Sequence, residues 1–231
     1  MKLSIIIPVY NEKNTILSVI EQIKAVKLPQ NIEKEILAVD DGSTDGTSEL
    51  LKQFVHDPLV RALSYGENRG KSGAVKYGIE HSTGDLILIQ DADLEYSPDQ
   101  YPRLLEPILS GRSSIVYGSR FMGTIKDMKW INRISNKITN FTINLLYGSH
   151  LTDFLTCHKV FKRDVIKDLI ITSRKFSLET ELTTKFLKRG YKILEVPIEY
   201  KARKRSEGKK ITWGTALELY WVLLKSRFVK D

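Results

Sequence analysis

Short apolar runs alternate with stretches whose apolar positions recur at helical spacing through the first half of the chain. "LSIIIPVY" is short and β-branched and reads as a strand, and "NTILSVIEQIKAV" follows with Ile16, Leu17, Ile20 and Ile23 at helical spacing. "KEILAVDD" reads as a second strand, then "TSELLKQF" as a helix introduced by Gly42, Ser43 and Thr44. "VRALSY", "GAVKYGIEH" and "DLILIQ" continue the pattern as strand, helix, strand. Strands buried on both faces read as continuous apolar runs, and strand–helix alternation predicts an α/β fold with a mostly parallel sheet flanked by helices. A further helix is well signalled by Ser97 as N-cap, Pro98 at the first helical position and Gln100 completing a capping box. Pro107 is expected to bend or end it. The second half is less regular: "SSIVYGSRF" reads as a strand leading to a basic turn, and "GYKILEVPIEYKAR" as a strand entering a basic tail.

Open sheets of this kind bind ligands at the carboxyl ends of their strands. Three of the four early strands end in polar or acidic residues: Asn11 and Glu12, then Asp40 and Asp41, then Asp91 and Asp93. Asp-x-Asp after a buried strand suits a hard divalent cation, Mg²⁺ or Mn²⁺, held through oxygen, which would relieve the repulsion between the acids. The same acids would also suit a solvated helix start. "ENRGKSG" carries the Gly70-Lys71-Ser72 ending of a phosphate-binding loop, but Tyr65 stands where the first glycine of Gly-x-x-x-x-Gly-Lys-Ser belongs. A P-loop phosphohydrolase is therefore the remote reading, and a glycine-rich turn near a diphosphate the plainer one.

Composition narrows the partners. The chain has 231 residues, 42% of them hydrophobic, enough for one sizeable core. A formal net charge of +8 favours anionic partners such as nucleotides, nucleic acid or an anionic membrane. No recognised nucleic-acid-binding motif is present, so nucleic acid is not the expected partner. Cys157 is the single cysteine, which excludes an internal disulfide and suits a reducing compartment. "MKLSIIIPVYNE" is too short and too broken by Pro8 for a signal peptide, and no run reaches the roughly 18 to 20 apolar residues that span a bilayer. A cytoplasmic protein, peripheral on the membrane, is expected.

"SIIIPVYNE", "ILAVDDGSTDGT", "NRGKSGAVKYGIEHSTGD", "LILIQDADLEYSPDQYPRLL", "YGSRF" and "GYKILEVPIEYKAR" occur in that order between residue 4 and about residue 210. Together they make the chain resemble the family 2 glycosyltransferases of the GT-A fold, most closely the dolichol-phosphate mannose synthase group. The resemblance implies a nucleotide-sugar donor, with GDP-mannose the first expectation and UDP-glucose next, a divalent cation, and a polyprenyl or dolichyl phosphate acceptor. It implies donor contacts at Pro8, Tyr10, Asn11, Glu12, Asp40, Asp41, Lys71 and Asp91, and a metal held by Asp91 and Asp93 with Glu95 as a further ligand. Glu95 stands where that group usually has Gln. Arg120, Arg133, Arg205 and Lys209 match basic positions facing acceptor phosphate or donor, though "RKRSEGKK" departs from the family's Arg-x-x-Gly-x-Ser-Lys loop. Asp153 and Glu181 match acids near the acceptor, and Cys157, His158 and Lys159 replace the usual Gly-Phe-Arg ending. Catalytic weight is expected on Asp93, Arg120 and Arg205.

A phosphate acceptor needs no general base, because its second pKa is about 6. A sugar-hydroxyl acceptor, the alternative within the family, would need one, with Asp153 or Glu181 as candidates. Two amphipathic stretches bear on the membrane. One places Ile131, Ile134, Ile138, Phe141 and Leu145 on one helical face; the other, in the 211–231 segment beyond a 1–210 catalytic domain, places Trp213, Leu217, Tyr220, Leu224 and Phe228 together, with Trp221 nearby. Each stripe would suit a membrane interface, the body of the domain, or a second subunit in a homo-oligomer.

Overall fold

The computed structural model describes residues 1–29, 32–173, 177–203 and 222–227. The four early strands form as β1 (Lys2–Val9), β2 (Glu33–Asp40), β3 (Val60–Ser64) and β4 (Leu86–Ile89). Between them lie α1 (Ile16–Ala25), α2 (Thr47–Leu51) and α3 (Gly70–His81). The later elements are α4 (Tyr101–Leu109), β5 (Ile115–Lys126), α5 (Trp130–Tyr147), β6 (Lys159–Lys162), α6 (Arg163–Ile166), α7 (Leu178–Lys188) and β7 (Leu194–Lys201). All seven strands join one sheet in the order β3-β2-β1-β4-β6-β5-β7. Pairing is parallel from β3 to β4 and again between β5 and β7, while β6 runs antiparallel to both neighbours.

The continuous apolar runs are explained by burial on both faces. Leu3, Ile5 and Ile7 pack with Ile16, Val19, Ile20 and Ile23 of α1, whereas the intervening Ile6 joins Ala74 and Val75 of α3 and Leu182 and Phe186 of α7. Helix α3 lies so close to β1 that a Cβ on Gly78 would stand 2.5 Å from Ile6 Cγ2, so only glycine fits there.

The fourth helix starts differently from its expected form. Pro107 lies inside α4, which ends two residues later at Leu109. Ser97 caps as expected, its Oγ accepting from Asp99 N–H, but a 3-10 turn over Pro98–Gln100 precedes α4. Gln100 does not close a capping box on that cap's N–H; its side chain instead donates to Glu199 O (3.0 Å) and accepts from Glu199 N–H (2.5 Å) in β7.

Residues 222–227 are helical, and Leu223 packs with Ile143, Leu151 and Phe154 beneath α5. Of the second amphipathic stripe, Leu224 is exposed, whereas Trp213, Leu217, Tyr220, Trp221 and Phe228 lie outside the described residues, as does the expected boundary at residue 210. No helix among the described residues is long and apolar enough to cross a membrane.

Candidate active site at the carboxyl edge of the sheet

The strand ends are bound to one another before any ligand arrives. Asn11, at φ +52°, donates its N–H to Ser43 Oγ (3.0 Å), and its Oδ1 accepts from Thr44 N–H (2.8 Å). Asp40 accepts from Ser43 N–H (3.0 Å) and from the Ser48 hydroxyl. Asp41 accepts from Arg69 N–H (2.7 Å) and from the Tyr65 hydroxyl, tying the end of β2 to the glycine-rich turn that enters α3. Both acids are under 5% exposed, so they brace the loops at the carboxyl edge of the sheet. Pro8 sits in β1 opposite Val39, and Tyr10 is half-buried at the turn that follows.

Beyond β4 the acids meet cations supplied by the chain itself. Lys71 Nζ, in the first turn of α3, lies 2.7 Å from Asp91 Oδ1 and 2.8 Å from Glu179 Oε1, and donates to Cys157 Sγ at 2.9 Å. Burial works against the ammonium, yet the charges of Asp91 and Glu179 hold its pKa well above the ordinary value. Burial likewise opposes the Asp91 carboxylate, and Lys71 outweighs it, so Asp91 stays ionised. The Cys157 thiol is pushed well up by burial and by Asp91, which keeps it protonated and leaves it no nucleophilic role.

Asp93 has the opposite balance. Burial, then the charges of Asp91 and Glu95, push its carboxyl up to about 7, against the pull of Arg203, whose Nη2 lies 2.9 Å from Asp93 Oδ2. The same guanidinium reaches Glu12 at 3.0 Å. Glu95 is turned toward β7: its carboxylate accepts from the Tyr200 hydroxyl (2.7 Å) and from Arg203 N–H (2.7 Å).

Two carboxylates one residue apart, with more negative charge than the turn can hold ionised, make an oxygen-only donor set that fits a hard divalent cation. Asp91 and Asp93 are the residues to hold it. Among the described residues no three side chains are gathered as a ready ligand set, and Glu95, expected as a third ligand, braces Arg203 instead.

The turn itself stands on a buried platform. Gln90 Nε2 donates to the carbonyls of Asp91 and Tyr96, which fixes its Oε1 as acceptor for Tyr101 O–H (2.9 Å) and His158 Nε2 (2.8 Å). Burial pushes the His158 pKa down to about 3, so the imidazole is neutral and Nε2 carries its proton. Lys159 is buried beside it, donating to the carbonyls of Phe154 and Thr156 with its ammonium 4.0 Å from the Tyr117 ring.

Several expected site residues are placed in structural roles. Arg120 is 7% exposed and forms a two-pronged pair with the fully buried Asp153, Nε to Oδ2 at 2.7 Å and Nη2 to Oδ1 at 2.8 Å. The pair engages Arg120 through its Nε and Nη2 and both oxygens of Asp153. Glu181 accepts from Thr172 and Ser173 N–H groups and pairs with Lys185 (2.8 Å), so it closes the loop before α7. Arg133, exposed on α5, donates to Ile125 O (3.1 Å). Arg205 and Lys209 lie outside the described residues. Sequence reading missed Arg203, Gln90 and Glu179. Arg203 is the last residue of the strand-and-tail motif "EVPIEYKAR", and that position at a strand's carboxyl end was the available signal.

A mostly parallel sheet whose carboxyl edge gathers an Asp-x-Asp turn, a lysine from a glycine-rich loop and an arginine just beyond the last strand defines a GT-A-type transferase fold. A family described as Glycosyl transferase family 2 matches residues 4–170, and the chain belongs to it. Among curated relatives it is 28% identical over 211 residues to an undecaprenyl-phosphate 4-deoxy-4-formamido-L-arabinose transferase of Edwardsiella ictaluri, covering 89% of this chain and 62% of that protein. It is 31% identical over 201 residues to glycosyltransferase AglJ of Haloferax volcanii, covering 86% of this chain and 63% of that one. The chain thus spans under two thirds of these relatives' length. Its fold matches glucosyl-3-phosphoglycerate synthase of Mycobacterium tuberculosis, crystallised with Mn²⁺, UDP and glucosyl-3-phosphoglycerate, at a TM-score of 0.76 and 20% identity, over all of this chain and 81% of that one.

Proposed function

We propose that the chain is an inverting glycosyltransferase that moves a hexose from a nucleotide-sugar to a polyprenyl phosphate on the cytoplasmic face of a membrane, where it is peripheral. The observation that carries this reading is the pairing at the sheet edge: Asp91 and Asp93, each already matched to a cation of the chain, Lys71 and Arg203. Such a site can receive a diphosphate and its counter-ion together, because both signs of charge are in place. The names of the curated relatives support a polyprenyl phosphate acceptor. The resemblance favours GDP-mannose or a UDP-hexose as donor.

The acceptor's own charge makes a base unnecessary. A phosphate monoester with second pKa about 6 is largely ionised at neutral pH. One of its oxygens bonds to the anomeric carbon while the bond to the donor diphosphate breaks, the electron pair leaving with the diphosphate and the anomeric configuration inverting. Lys71 and Arg203 stabilise the departing charge, and the braced loops of Asn11, Asp40 and Asp41 orient the nucleotide. A cation held by Asp91 and Asp93 would supply further charge neutralisation at the diphosphate. The sugar-hydroxyl alternative is disfavoured by geometry, since its candidate bases, Asp153 and Glu181, are both consumed by internal partners. The phosphohydrolase reading is disfavoured, because the turn before Lys71 follows the edge strand β3 and Tyr65 stands where the first glycine of a phosphate-binding loop belongs.

The test is a panel of GDP- and UDP-hexoses with Mg²⁺ or Mn²⁺, with and without polyprenyl phosphate, scoring transfer and donor hydrolysis separately. Transfer that requires the lipid phosphate, inverts the anomeric centre and disappears in Asp91→Asn and Asp93→Asn is expected. Retention of configuration, or hydrolysis without transfer, sinks the proposal.

A further inference from the structure

The turn that follows β4 is strained, and one side chain clasps both its ends. Leu94, in the middle of turn 91–96, has φ +60°, a left-handed conformation that L residues adopt at a cost. Such a conformation persists only where its surroundings hold it. The holder is the Gln90 side chain, fully buried beneath the turn. Its Nε2 donates to Asp91 O (2.9 Å) at one end and to Tyr96 O (3.1 Å) at the other. The Gln90 backbone N–H donates to Ile6 O (3.0 Å), which ties the clasp to the sheet.

A flipped amide would turn its oxygen toward those two carbonyls, and two buried donors oppose the flip. Gln90 Oε1 accepts from Tyr101 O–H (2.9 Å) and from His158 Nε2 (2.8 Å), so every hydrogen-bonding position of the amide is used. The imidazole carries a cost of its own. Its Nδ1 has no partner among the described residues, and an unpaired buried nitrogen is unfavourable. The phenylalanine usual at this position in the group the sequence resembles would offer a ring to Tyr96 and Tyr101, whose centroids lie 4.8 and 5.9 Å away, without that cost. What the imidazole adds is a donor to Gln90. The turn also carries other parts of the site. Glu95 O accepts from Lys201 N–H (3.1 Å) and Tyr96 bridges to Tyr200, which links the turn to the strand end that presents Arg203.

We infer that Gln90, oriented by His158 and Tyr101, is a positioning residue that holds turn 91–96 in the shape in which Asp91 and Asp93 receive a divalent cation. This rests on the cation reading of those two acids, but it concerns side chains buried beneath them. The acids supply the charge. Gln90 keeps the turn from having to order itself when the ion arrives.

Mn²⁺ titration of the full chain without donor tests this, at a temperature where thermal melts show each variant folded. Gln90→Met keeps most of the bulk, removes the clasp and is expected to weaken Mn²⁺ binding about tenfold. His158→Phe keeps a ring and strands no donor, so it should give a smaller loss, and it carries the test if Gln90→Met does not fold. The double variant should lose no more than Gln90→Met alone, because His158 acts through Gln90. Variants that melt earlier but bind Mn²⁺ like wild type overturn the inference and leave these side chains a purely structural role. Additive losses in the double variant overturn the part given to His158. Wild type that binds Mn²⁺ no better than Asp91→Asn overturns the cation reading, and this inference with it.

Discussion

Arg203 Nη2 lies 2.9 Å from Asp93 Oδ2 while its guanidinium also meets Glu12 at 3.0 Å, so a single side chain from the end of β7 spans the end of β1 and the turn after β4. In that position it competes with any cation for Asp93. Arg203→Gln is expected to lower kcat/KM on the order of 10²-fold, the usual scale for losing one charged donor to a departing anion. Mn²⁺ affinity, measured by titration without donor, should hold or rise, because a like charge has been removed. A fall in Mn²⁺ affinity would show that Arg203 organises the acids rather than the anion.

Glu95 separates a brace from a ligand. It accepts from Tyr200 O–H and Arg203 N–H, and a glutamine can accept only one of these two. Glu95→Gln should therefore loosen the chain at Arg203 and raise donor KM, with a local cost of about 1 kcal/mol. Mn²⁺ binding to the free enzyme should be unchanged. A clear loss of metal affinity would restore Glu95 to the ligand set.

The Arg120–Asp153 pair should behave as structure. Both groups are buried and hydrogen-bonded to each other, so removing either leaves an uncompensated charge. Arg120→Met or Asp153→Ala is expected to destabilise by about 3–5 kcal/mol, read by urea unfolding. A variant with full stability and lost transfer would instead place Arg120 at the substrate.

At the far end of the sheet, Glu35 gives the fold an acid limit. Burial would raise its pKa, but Ser4, Lys2 and Thr83 override that and bring it to about 2, below its ordinary 4.5. A depressed folded-state pKa means the stabilisation is fully present above about 4.5 and is lost as pH falls from there toward 2. Thermal melts should drop across that window in wild type and less steeply in Glu35→Gln, which starts from a lower melting temperature at neutral pH. Parallel curves for the two proteins would exclude this network as the cause.

What the sequence disclosed follows from how each element is stabilised. Strands β1, β2 and β4 are buried on both faces, so their runs are unbroken and easily read. Strand β6 is four residues long with lysine at each end, and nothing in so short a stretch distinguishes it from a loop. Asp91 and Asp93 stood out because acids rarely end a buried strand. Glu179 did not, because its role depends on Lys71, 108 positions earlier, and local spacing is silent about that pairing. Arg120 looked reactive for the same reason in reverse: its partner, Asp153, is 33 residues away and only the fold shows them neutralising each other. The stripe on α5 was legible as amphipathic, but spacing cannot say which face meets protein and which meets something else.

Strand β7 lies at the rim of the sheet, where backbone groups ordinarily invite another chain to add on. Here α4 and the turn before it occupy that rim. Gln100 takes both the N–H and the carbonyl of Glu199, and Arg103 donates to Pro197 O at 2.9 Å. A foreign strand would have to displace these side chains before it could pair. The same contacts set how far β7 can slide along β5, and a slip of one residue would carry Arg203 away from Asp93. Protection from unwanted assembly and the register of the active site are thus secured by the same two side chains.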